Sequence, residues 1–271
     1  MVVDLAAAAR AAEANEAEFF AAFGRGPGCR LVDVDGALLV DTGDLGFARV
    51  LTTSVSDDVF GDVLGRCRSL LSSAAQLEWV VGYEYSPTDL ADRLVEAGFR
   101  RTGSMPGMAV EVGDLPEWRS LGPSGLRIDR IVSSDDLEDR LVPVLAAHFG
   151  PESNFLAAIL GAYRAAGFDD DALFVHLVGS VDDGPVEVVG TAWEAGGAIG
   201  LGAIATLKES RGRGLGSAMT TALATYDMGS DTDISVLHAT AMGRPVYERL
   251  GYQTLFDAGF YKDEATLRQR T

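Results

Sequence analysis

Arg211-Gly212-Arg213-Gly214-Leu215-Gly216 is the stretch that decides how the rest of the chain is read. Before it runs an apolar segment, residues 198–206, with the character of a strand. After it, Leu215 to Tyr226 follows a helical pattern. A strand that passes through alternating glycines into a helix N-terminus forms an anion cradle. Backbone N–H groups unobstructed by side chains converge on a phosphate, and the helix dipole adds positive potential. The stretch therefore predicts that the chain binds a phosphorylated carrier.

Composition narrows the class of protein. A chain of 271 residues, 47% of them hydrophobic, suits one large domain or two of ordinary size. It has no apolar run long enough for a membrane span. The first ten residues look like the start of an amphipathic helix rather than a signal peptide, so a cytoplasmic protein with no membrane partner is expected. Cys29 and Cys67 are isolated and lack metal-ligand spacing. They read as small buried hydrophobes in a reducing compartment, and no metal is expected. The net charge is −18, and Lys208 and Lys262 are the only lysines. Such a surface argues against nucleic acid, whose phosphates need neutralising. It is compatible with a cationic small substrate.

The pattern along the chain is mixed α/β. Residues 1–25 read as helix, ended by the glycines and proline of 24–28. Strands are predicted at 29–34, 37–41 and 47–53, a helix at 55–74, a strand at 77–82, a helix at 88–97 and a strand at 108–112. Residues 113–125, rich in Gly, Pro, Ser and Asp, read as a linker. Beyond it come a strand at 126–131 and helices at 135–149 and 155–166. Strands at 172–178, 186–195 and 198–206 lead to the glycine turn and its helix. A strand at 234–239, a short helix at 244–250 and a strand at 253–261 close the chain. The two parts end alike. Leu77–Val81 with Leu94, Gly98 and Phe99 parallels Ile234–Leu237 with Leu250, Gly251 and Tyr252, which suggests two copies of one α/β unit. The first copy carries Asp57, Asp58 and Asp62 where the second has its glycine turn, and these would repel a phosphate.

Three phosphate-binding readings compete. A Walker loop requires a lysine before its Ser or Thr, and Gly216-Ser217 has none. A dinucleotide fingerprint requires a sixth-position glycine, but Ser217 or Met219 stands there, although Asp231 or Asp233 could serve as the ribose acid. Arg211-x-x-Gly214-x-Gly216 fits the third, the R/Q-x-x-G-x-G/A signature. With it goes Leu237-His-Ala-Thr-Ala-Met-Gly-Arg-Pro-Val-Tyr-Glu-Arg-Leu-Gly-Tyr252, some 35 residues on. The two motifs together resemble the GNAT family, the Gcn5-related N-acetyltransferases. The resemblance covers residues 126–261. Residues 1–112 resemble only the degenerate first half of tandem members, through Trp79-Val-Val-Gly82, Ser86-Pro87 and Leu94-x-x-x-Gly98-Phe99.

The resemblance implies two mixed-sheet domains in tandem, 1–112 and 126–271, with central strands splayed at a β-bulge. It implies acetyl-CoA as co-substrate, held by the backbone of Ile204, Ala205 and Thr206 and by the amides from Arg211 through Gly212, Arg213, Gly214, Leu215, Gly216 and Ser217. The bulge amide of Ile204 would face the reacting carbonyl. Tyr247 falls where the family places the general acid for the CoA thiolate, and its plain alternative is a core tyrosine. Glu194, His176, His238 and His148 are candidates for a base, with Glu194 taken first because its strand adjoins 198–206. The plain alternative for Glu194 is an exposed strand residue, and for each histidine a structural or surface residue. The expected reaction is acetyl transfer to a small amine by a monomer or homodimer. The alternatives are a non-catalytic acyl-CoA sensor and a nucleotide-phosphate binder.

Overall fold

The computed structural model describes residues 4–71, 75–229 and 232–265. Their order is α1 (Leu5–Ala21), β1 (Arg30–Val34), β2 (Ala37–Asp41), β3 (Phe47–Thr53), α2 (Phe60–Leu70), β4 (Gln76–Val81), α3 (Leu90–Glu96) and β5 (Phe99–Glu111). There follow β6 (Leu126–Arg130), α4 (Ser134–Asp136), a π turn at Leu137–Leu141, α5 (Val142–Phe149), α6 (Asn154–Ala166), β7 (Phe174–Val181), β8 (Val186–Ala195) and β9 (Ala198–Thr206). Last come α7 (Leu215–Ala224), β10 (Ile234–His238), α8 (Arg244–Arg249) and β11 (Gln253–Asp263). The fold is mixed α/β, as expected.

Several elements differ from their sequence expectation. The helix expected from 55 starts only at Phe60, and its expected end at 72–74 lies outside the described residues, as do residues 1–3 of the first helix and Asp231. The helix expected over 135–149 is interrupted by the π turn. β5 is much longer than its predicted 108–112. Its first half, Arg100 to Ser104, is exposed and polar and shows no alternation, so only pairing with β11 makes it a strand.

The described strands form one sheet in the order β1-β2-β3-β4-β11-β5-β10-β9-β8-β7-β6. The internal repeat is visible in it. β3 with β4 and β9 with β10 are the parallel pairs. Each is followed by a short helix and a glycine at positive φ, Gly98 at 90° and Gly251 at 95°, then an aromatic residue that opens or precedes the next strand. The two repeats exchange their last strands. β5 lies between β10 and β11, and β11 lies between β4 and β5, all antiparallel. The hydrogen-bond ladder thus crosses the 113–125 division of the sequence. That segment is itself pinned: Trp118 and Leu121 pack against the core under α7.

Helices cover both faces. On one, α1, α5 and α6 pack over Phe174, Val189 and Trp193. On the other, α2 and α3 cover β1–β4, and α7 covers β7–β10. Asp4 caps α1 by accepting from the amides of Ala6 and Ala7. Alanines let the helix settle closely on the sheet, with Ala8, Ala11 and Ala12 against Ala109, Ala198 and Val236. Asn15 is buried and donates through Nδ2 to the carbonyls of Ala195 (3.1 Å) and Ala198 (3.0 Å), while Trp193 Nε1 donates to the Asn15 carbonyl at 3.0 Å. A Cβ at Gly200 would stand 1.6 Å from Asn15 Oδ1, so this docking requires glycine there.

The strand exchange predicts cooperative unfolding. Urea transitions followed by tryptophan fluorescence and by far-UV circular dichroism should coincide, and residues 126–271 alone should not give a soluble folded protein. Two separate transitions, or a folded second half, would contradict the exchange.

Candidate active site

The centre of the site is a gap between two parallel strands. β10 pairs with β9 at Ser235↔Ile199, Val236↔Gly200 and Leu237↔Leu201, and the ladder ends there. β9 continues alongside β8, but its register shifts between Val189 and Thr191, so that Ala203 and Ile204 together face Gly190. Ala203 adopts φ 50°, a left-handed conformation that a non-glycine residue holds at a cost. Gly190 makes room for the bulge, since a Cβ there would stand 3.1 Å from Ile204 and 2.6 Å from Leu223. Beyond Leu201, the β9 edge from Gly202 to Thr206 has no strand beside it on the β10 side among the described residues. This free backbone edge can accept an extended chain as a further strand would.

The free edge leads to the glycine turn. Gly212 and Gly214 have φ 77° and 84°, and Gly214 is the N-cap of α7. Among the described residues the amides from Gly212 to Ser217 have no intramolecular acceptor. The first helical bond runs from Ala218 N to the Gly214 carbonyl. Arg211 N lies 3.5 Å from the Lys208 carbonyl, at the limit of a hydrogen bond. The turn is therefore open, with a row of unused donors running from the exposed residues 211–213 into the partly buried N-terminus of α7. A Cβ on Gly214 would lie 2.0 Å from the Leu121 carbonyl oxygen, whereas one on Gly212 would meet nothing and one on Gly216 only Thr206 Oγ1 at 3.7 Å. The two arginines flank the turn. Arg211 Nε donates to the Thr206 carbonyl at 3.2 Å, and Arg213 pairs with Glu187 at 2.5 Å.

Tyr247 stands on α8, after the end of β10. Its ring lies over Gly243 and makes an edge contact with Tyr252, whose hydroxyl is hydrogen-bonded to that of Ser235 at 2.8 Å. The Tyr247 hydroxyl has no hydrogen-bond partner among the described residues, and burial pushes its pKa up to about 12. It belongs to the layer of α7, on one face of the sheet.

The base candidates separate clearly. Glu194 pairs with Ile199 at the hairpin end of β8, away from the gap, and accepts from Thr232 Oγ1 at 2.7 Å. The structure does not bring it together with Tyr247. His176 is buried beside Thr191 (2.9 Å) and the Tyr163 ring, and burial, with Arg130 nearby, lowers its pKa to about 3. His148 is lowered by burial and by Arg211. His238 is different. It follows Leu237, the last position paired with β9, and so stands at the point where the strands part. Its side chain turns to the α1 face, where Nδ1 meets Glu16 at 3.3 Å. Burial would raise the Glu16 carboxyl, but His238 and Arg49 outweigh it and lower it.

Beneath α1 and opening beside His238 is a cavity of about 370 Å³, its open mouth included. Glu13, Glu16, Phe20, Arg49 and Phe256 are among its walls. The role of α1 in the site could not be read from the sequence, because only the docking of the helix on β9 carries Glu13 and Glu16 to the end of β10. Among the described residues no cluster of side chains suited to a metal occurs, and no helix is long and apolar enough to cross a membrane.

Comparison with known proteins agrees with this fold. The FR47-like protein family matches residues 177–261. No curated protein matches the chain. A GCN5-related N-acetyltransferase from Kribbella flavida superposes with a TM-score of 0.61 at 22% identity, over 92% of this chain and 95% of that one. One from Sphaerobacter thermophilus gives 0.57 at 17%, over 84% and 76%. A tandem GNAT protein from the clavulanic acid biosynthesis pathway gives 0.57 at 14%, over 88% and 83%. The chain thus has the fold of the GNAT proteins, and its residues 177–261 are similar to the FR47-like protein family.

Proposed function

We propose that the protein transfers an acyl group, acetyl in the first instance, from CoA to a small amine. The observation that carries this reading is the loss of the β10 partner beyond Leu201 on a strand that leads directly into unbonded amides. The residues present fit CoA. The open edge at Ile204, Ala205 and Thr206 suits the amide-bearing pantetheine arm, and the amides of 212–217 suit its diphosphate. Acetyl-CoA, when bound, supplies an activated thioester carbon. The chain's own residues supply orientation and protons. The free edge fixes direction, the bulge at Ala203 and Ile204 turns backbone N–H groups into the gap, and Tyr247 is the proton donor to sulfur. Because burial lifts its pKa to about 12, Tyr247 stays protonated through the neutral and mildly alkaline range, as a donor must. Division into a degenerate first unit and a catalytic second unit is part of the same proposal, as among the described residues only the second repeat carries the open glycine turn. Residence in the cytoplasm is likewise proposed.

Acetyl-CoA should raise the melting temperature, and thiol should be released when an amine is added. Tyr247→Phe should lower kcat by about a hundredfold and leave acetyl-CoA affinity unchanged. Heat protection without thiol release across a broad amine panel, with no effect of Tyr247→Phe, would overturn the enzyme reading in favour of a CoA sensor.

The turn itself gives a second expectation. Gly212→Ala should cost about 1 kcal/mol, the strain of a left-handed alanine. Gly214→Ala should cost more, because its Cβ meets the Leu121 carbonyl at 2.0 Å and the backbone must move. Chemical denaturation measures both. Equal losses would mean that the contact with residues 118–121 does not hold the turn.

A further inference from the structure

Glu13 and Glu16 lie three residues apart on α1 and so share a face. That face looks into the protein. Glu13 accepts from the amides of Tyr83 (2.8 Å) and Glu84 (3.0 Å), an approach that Gly82 permits, since a Cβ there would lie 1.9 Å from the carboxylate. Glu16 holds His238. Most of the remaining wall is apolar, with Phe20, Val80, Phe256 and Phe260. Arg49 is also there, but its charge is taken up. It makes two bonds to Glu78, at 2.8 and 2.5 Å, and lies 3.9 Å from the centre of the Phe20 ring. Glu84, whose amide holds Glu13, pairs through its carboxylate with Arg10 at 3.3 Å. The cavity therefore carries more carboxylate than arginine, in apolar and aromatic surroundings. Burial raises the Glu13 carboxyl despite its two amide donors. A cation entering here would meet carboxylates and ring faces together.

The position matters as much as the charge. His238 is reached from this cavity on the α1 face, and Tyr247 belongs to the α7 face of the same gap. We propose that the cavity receives the acceptor, a small amine carried as a cation on a short apolar body, and that His238, positioned by Glu16, takes its proton. This inference rests on the acyl-transfer reading above. In the tautomer that donates Nδ1–H to Glu16, His238 has its Nε2 lone pair free. One proton passes from the ammonium nitrogen to Nε2, and the imidazolium formed is paired with Glu16. The nitrogen lone pair forms the N–C bond, the C–S bond breaks with its electron pair on sulfur, and Tyr247 gives sulfur a proton. The amide nitrogen loses its second proton and Tyr247 is reprotonated. Overall, one ammonium and one thioester give one amide, one thiol and one proton to water. The enclosed space is small and most of the volume is open mouth, which suits the ammonium head of a short-chain amine or of a single amine-bearing side chain.

The test uses n-pentylamine, 1-pentanol and pentanoate, titrated by calorimetry into the full chain with and without saturating CoA. The amine should bind, the alcohol should bind about tenfold more weakly, and pentanoate should not bind. Glu16→Gln should weaken amine binding about tenfold with CoA binding kept, and Glu16→Asp should restore part of it. His238→Gln should lower kcat about a hundredfold, with amine affinity nearly unchanged. Equal binding of amine and alcohol, or amine binding unmoved by Glu16→Gln in a variant that melts like the parent, would overturn the proposal while thiol release still upheld acyl transfer. Failure of CoA to bind would overturn acyl transfer itself, and the amine titration without CoA would still judge the cavity.

Discussion

The site depends on one constraint: β9 keeps its ladder with β8 while losing β10 after Leu201. A strand in the middle of a sheet normally spends its backbone groups on both neighbours. Here the inserted residue at Ala203 and Ile204 turns the strand, the two parallel neighbours part, and a length of backbone is left able to bind something other than protein. The strain of Ala203 at positive φ is borne by the surrounding packing, with Gly190 providing the room and Leu223 and Met219 filling it. The glycine turn then continues the same open path into the N-terminus of α7.

Around that gap the chain has two different walls. The α7 wall holds Tyr247, Tyr252 and Ser235, neutral hydroxyls whose burial keeps the two phenols protonated. The α1 wall holds carboxylates and an imidazole. Under the proposed reaction the incoming nitrogen must lose a proton and the departing sulfur must gain one, and the two jobs would fall to groups on opposite faces. The strand exchange makes this arrangement rigid. His238 on β10 pairs with Gly107 on β5, and Phe256 on β11 pairs with the same residue across the register shift, so both repeats fix the end of the gap.

Much of this was legible in the sequence because it is local. The glycine turn, its helix, the strand before it and the short helix that carries Tyr247 are contiguous motifs, and local pattern is enough to place them. The repeat was legible for the same reason. What escaped was whatever depends on contacts distant in sequence. The adjacency of its strand favours Glu194, but its position at the hairpin end, bonded to Thr232, takes it away from the gap. Glu16 and His238 meet only because α1 docks through Asn15 onto Gly200, and no local pattern announces that. The exposed half of β5 was illegible because neither face is buried, so the alternation that marks a strand is missing.

The most direct test of the central claim is amide hydrogen exchange of the full chain with and without CoA. Slowed exchange confined to the backbone of Gly202–Thr206 and Gly212–Ser217 is the predicted result. CoA bound with those two stretches exchanging as before, and protection appearing elsewhere in the sheet, would contradict it.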